Sequence, residues 1–137
     1  MDDLVKFIQD RSDETEAAAL AWGRGPWEVR GGYDVFVPGT QTGHIAGAHE
    51  ASVASHIARH DPDRTLREVA SVRAVVAAYQ DAIARHAAEA DWLAIGNPDE
   101  DVVYVRMRAT AEALEMVCRQ IAAIDSDHPE YRETWKP

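Results

Sequence analysis

A chain of 137 residues has room for one hydrophobic core and little more. Hydrophobic residues are 46% and charged residues 28%, a balance that excludes intrinsic disorder. A net charge of −10 argues against direct binding of nucleic acid or a membrane surface, and favours a basic protein surface, including one that normally holds DNA.

The lone cysteine, Cys118, excludes an intramolecular disulfide and a Cys-rich zinc site, and suits a reducing compartment. The start, Met1-Asp2-Asp3-Leu4-Val5-Lys6, lacks the basic and apolar regions of a signal peptide, and no run approaches the ~18 apolar residues of a membrane span. A cytoplasmic protein is the expectation.

Residues 2–22 read as an amphipathic helix capped by Asp2, with Leu4, Phe7, Ile8, Arg11, Ala18 and Trp22 near the helical period. Asp3, Asp10, Asp13, Glu14 and Glu16 form the opposite, solvated face, and Gly23 and Gly25-Pro26 end the helix. Trp27–Arg30 and Tyr33–Val37 are strand-like and flank Gly31-Gly32, a two-residue hairpin signal because a primed turn needs positive φ. After the turn-rich stretch 38–43, His44–Ala48 adds a third strand, giving an antiparallel meander. The glycines match no phosphate-loop spacing.

Residues 49–60 form a short helix with Val53, Ala54, Ile57 and Ala58 on its apolar side. Asp61 then caps a new helix, with Pro62 at the first helical position, where its missing N–H costs nothing. Leu66, Val69, Val72, Val76, Tyr79, Ile83, His86, Ala90 and Leu93 repeat by threes and fours up to a stop at Gly96. Asn97-Pro98-Asp99-Glu100 carries a cap, a first-position proline and a reciprocal Glu. Val103, Met107, Thr110, Leu114, Val117, Ile121 and Ile124 set the seam of the next helix. Two such helices on a short link make an antiparallel αα-hairpin. The tail 125–137, with Tyr131 and Trp135, is expected to dock on the body.

Of the six histidines, His56 and His60 are four apart and therefore adjacent on a helix face, a two-ligand zinc geometry. His49 would lie about 10 Å from His56 along the axis, too far to share an ion. A third ligand must come from Asp61, Asp63 or a distant group such as His128. Ile57 follows His56, so there is no HExxH and no metallopeptidase. His86 occupies a core heptad position, and Cys118 reads as a small buried hydrophobe. Trp22, Trp27, Trp92 and Trp135 stand near segment ends, mostly as core lids, an exposed one marking a partner surface.

The stretch His56-Ile57-Ala58-Arg59-His60-Asp61-Pro62-Asp63-Arg64-Thr65-Leu66-Arg67-Glu68-Val69 and the tail Asp127-His128-Pro129-Glu130-Tyr131-Arg132-Glu133-Thr134-Trp135-Lys136-Pro137 resemble a family of small actinobacterial and actinophage proteins catalogued as a domain of unknown function. The resemblance extends to the acidic first helix and the Trp-containing hairpin region. Members often carry a basic pair after the Glu-Val, where this chain has Ala70-Ser71-Val72-Arg73. The resemblance implies no activity, but it implies that the two segments belong together.

The expectation is a single α+β domain over 1–137, mostly α: helix, small sheet and short helix (1–60), αα-hairpin (61–124), docked tail (125–137). The function expected is that of an acidic, non-enzymatic protein-interaction module. Its partner is a basic or nucleic-acid-binding protein, or a second copy in a homodimer, with Arg59 and Trp135 as interaction residues. No cofactor is expected on that reading. The alternative is a zinc-type metal protein or hydrolase using His56, His60 and His128.

Overall fold

A computed structural model describes residues 2–23, 25–92 and 102–137. Its elements are α1 (Asp2–Ala21), β1 (Glu28–Arg30), β2 (Asp34–Phe36), β3 (His44–Gly47), α2 (Ala51–Arg59), α3 (Pro62–Trp92) and α4 (Val102–Ala122). Two 3₁₀ turns follow, Ala123–Asp125 and Glu133–Trp135. The protein is α+β and mostly α. Two compact units emerge, one of residues 1–11 with 71–137 and one of residues 12–70, so α1 and α3 contribute to both.

The first unit holds the main core. Leu4, Val5, Phe7 and Ile8 of α1, Val76 and Tyr79 of α3, and Cys118 and Ala122 of α4 are buried together with Trp135 of the tail. Phe7 meets Trp135 at 5.2 Å, Tyr131 at 6.1 Å and His128 at 5.7 Å between ring centroids, so the tail is part of the core. Tyr79 lies beside Glu115 and Cys118, whereas His86 stacks on Tyr104 at 4.6 Å. Positions rise along α3 as they fall along α4, so the two helices run antiparallel. The Gly96 stop, the Asn97 cap and Leu93 lie outside the described residues.

The seam of α4 differs from the one its valines suggest. Met107, Ala111, Leu114, Cys118, Ile121 and Ala122 turn inward, whereas Val103, Thr110, Val117 and Ile124 are exposed. The buried stripe is rotated by roughly 60° from the expected one, at about 100° per residue. Both stripes are apolar, so periodicity does not choose between them. Packing does: small Cys118 and Ala122 leave space for the Tyr79 ring, which is 1% exposed.

In the second unit the strands form the expected meander in the order β1-β2-β3, antiparallel throughout. The first turn holds three residues, because Arg30 pairs with Asp34 and Tyr33 joins Gly31 and Gly32 in the loop. Both glycines have positive φ (59° and 83°), as a primed turn demands. Val35 and Ala54 are fully buried, marking where β2 and α2 pack. Val53, expected on the apolar side of α2, is 45% exposed. Trp22 is 67% exposed, because α1 stops at Ala21 and Gly23 (φ 92°) turns the chain away.

Candidate functional site

The His56–Asp63 stretch is a corner within the second unit. α2 ends at Arg59, His60 is its C-terminal capping residue, and α3 starts at Pro62. Asp61 is the cap that the sequence suggests: its Oδ1 accepts the Arg64 backbone N–H at 2.8 Å, and the residue is 8% exposed. Gly25 abuts it. A Cβ on Gly25 would lie 2.7 Å from Asp61 Oδ1, and the Gly25 N–H donates to Asp63 Oδ1 at 3.2 Å. Both nearby carboxylates therefore hold backbone.

The His56 and His60 rings are brought together, 4.3 Å between centroids, and both are exposed. The Nδ1–H of His60 donates to the His56 carbonyl at 2.8 Å, because a carbonyl oxygen only accepts. With Nδ1 engaged as a donor, Nε2 is the His60 nitrogen left to accept. Arg59 is exposed on the same turn, and among the described residues it makes no ion pair. His49 precedes α2, which begins at Ala51.

The tail segment sits in the first unit. Arg11 Nη1 donates to His128 Nε2, and its guanidinium lies over the Phe7 ring at 5.5 Å. His128 is therefore tied to α1. Trp135 is buried at 8% exposure with Arg132 stacked over it at 5.4 Å, and Arg132 pairs with Asp3 at 2.7 Å. A groove of about 370 Å³ runs along this junction, lined by Lys6, Phe7, Asp10 and Tyr131 among others. Its charges are mutually satisfied, since Lys6 pairs with Asp10. Among the described residues, no group of three or more His, Cys, Asp or Glu is placed to hold a metal ion.

The model of a family of unknown function, DUF6221, matches residues 1–137, from end to end. The chain belongs to this family. No curated protein and no solved structure matches it. DUF6221 membership covers both the histidine corner and the docked tail, and assigns neither a role.

Two features of this DUF6221 chain escape a reading by periodicity. One is a polar clamp in the first unit. Arg119 donates to Glu115 Oε1 through Nε (3.0 Å) and Nη2 (2.6 Å), and to the Thr134 carbonyl through Nη1 (2.8 Å). Tyr79 hydrogen-bonds the same Glu115, and burial with that neighbouring carboxylate pushes its phenol up to about 12. Burial likewise raises the Cys118 thiol, with Glu115 adding to it. The Glu115/Arg119 spacing of four was a visible signal, but the tail carbonyl was not.

The other is the outer face of α4. Val102 (69%), Met116 (59%) and Val117 (44%) are exposed there, followed by Ile124 (76%) in the next turn. Exposed Ala109 and Ala113 lie between them, with Arg106 and Gln120 as the polar interruptions. This is a second three-four stripe, turned away from the core. Among the described residues no helix is long and apolar enough to cross a membrane.

Proposed function

We propose that this protein is a non-enzymatic interaction module that works as a homodimer through the outer face of α4. The observation that carries this reading is the stripe Val102, Ala109, Ala113, Val117 and Ile124, apolar and solvent-facing in a chain of net charge −10. Its order favours a second copy. In an antiparallel pair centred on Ala113, Val102 meets Ile124, Arg106 meets Gln120 and Ala109 meets Val117. Apolar residues then face apolar ones, guanidinium faces amide, and small residues at the centre let the helices approach. A parallel pair would set Arg106 against Arg106, a costly like-charge contact. The stripe is about 33 Å long at 1.5 Å per residue, which makes the interface modest and the association reversible.

The acidic charge supports a second reading, a basic partner protein, and salt separates the two. Screening relieves repulsion between identical acidic chains, so self-association strengthens as salt rises, whereas binding to a basic surface weakens. Sedimentation velocity over a hundredfold range of concentration, at low and high salt, is the test. A concentration-dependent dimer, strengthened by salt and abolished by Val117→Glu, is expected. A monomer under every condition would remove the reading.

A further inference from the structure

We infer that His56 and His60 form a two-histidine site for a borderline divalent transition ion, nickel, copper or zinc, at the corner between α2 and α3. Two imidazoles four residues apart on one helical turn stand 4.3 Å between centroids, both open to solvent. Neither ring is joined to a carboxylate among the described residues, so metal binding displaces no ion pair. The decisive observation is the 2.8 Å bond from His60 Nδ1–H to the His56 carbonyl. Imidazoles that ligate metals characteristically donate their second nitrogen to a carbonyl or carboxylate, which fixes the tautomer and aims the other nitrogen at the ion. Here the orienting bond is in place, which leaves His60 Nε2 as the ligand atom.

The position suits a cation. His56 lies in the last turn of α2 and His60 caps it, where the carbonyl end of the helix carries partial negative charge. Imidazole without hard oxygen ligands selects this class of ion over magnesium or calcium. Two protein ligands leave the remaining positions to water, so the site is an open clip. His128 is not part of it, because its Nε2 accepts the Arg11 guanidinium. Arg59 lies on the same exposed turn, and its charge opposes the ion.

Nickel and zinc chloride, each titrated into the full chain without a histidine tag, test the site by ¹H–¹⁵N NMR of the imidazoles and by calorimetry. One equivalent is expected to bind, moving the His56 and His60 resonances before those of His44, His49, His86 and His128. His56→Gln and His60→Gln should each weaken binding at least tenfold, as loss of one of two ligands requires. His49→Gln should leave it unchanged, and Arg59→Gln should tighten it. All of these positions are exposed, and circular dichroism verifies that the variants keep the fold. Binding that survives both histidine substitutions, or ions that move other histidines first, would overturn the assignment, as would no binding at millimolar metal.

Discussion

Two tryptophans, one just past the end of α1 and one in the tail, make opposite predictions. Trp135 is 8% exposed, lies 5.2 Å from Phe7 and 5.9 Å from Tyr131 between centroids, and carries the Arg132 guanidinium on its ring. Trp135→Ala removes that indole from a core with little capacity to collapse, because Phe7, Tyr131 and the Arg119 clamp hold the surrounding wall. Truncations of this kind cost about 3–5 kcal/mol, and the lost ring contacts place this one in the upper half of the range. In a chain of 137 residues the melting temperature should fall by about 10 °C or more. Trp22, 67% exposed beyond the end of α1, is the control: Trp22→Ala should stay within about 0.5 kcal/mol of the parent. Urea unfolding followed by circular dichroism at 222 nm reads both variants without relying on the fluorophore that was removed. A Trp135→Ala loss below about 1 kcal/mol, or equal losses in the two variants, would refute a tail built into the core.

Alkaline pH tests the Tyr79 phenol, whose ordinary value of 10 is raised to about 12 by burial first and then by Glu115. A group raised on folding stabilises fully below its unfolded value, so stability should hold below pH 10 and fall by about 2–3 kcal/mol between pH 10 and 12. Tyr79→Phe should flatten that fall while costing about 1 kcal/mol at pH 8 for the lost hydrogen bond, measured by urea midpoints across the range. At the corner, Gly25→Ala places a methyl 2.7 Å from an Asp61 oxygen already engaged by the Arg64 N–H, and should cost about 1–2 kcal/mol. Asp61→Ala removes the same cap. The double variant should therefore cost less than the sum of the two, and strict additivity in thermal unfolding would contradict the contact.

Much of the architecture was legible because local signals agreed with packing. The period from Leu4 to Ile8, the Gly31-Gly32 turn and the Asp61-Pro62 start each specify one local conformation, and each element formed where that signal lies. The tail was legible as docked from its two aromatics, though not which residues would receive it. The face of α4 was not legible. Val117 and Cys118 belong to two apolar stripes of similar strength, and the choice rests on the volume left by Tyr79, a partner far away in sequence. The exposure of Trp22 was equally hidden, since it depends on where the helix stops. At the histidine corner, the spacing of His56 and His60 was readable, and the His60 Nδ1 bond that orients the ring was not.

The claim that the outer stripe of α4 pairs with a second copy is tested most directly by a disulfide across the proposed two-fold axis. Ala113→Cys places a thiol on the axis, where two copies bring their Cα atoms within the roughly 4.4–6.8 Å that a disulfide spans. Cys118 is buried, so the new thiol is the reactive one. Mild oxidation of Ala113→Cys at micromolar concentration should give a covalent dimer on non-reducing gels, while Val102→Cys alone should not, because its partner position is Ile124. Mixed Val102→Cys and Ile124→Cys proteins should cross-link to each other. Monomeric Ala113→Cys after oxidation, or equal cross-linking at every exposed position, would contradict the antiparallel α4 dimer.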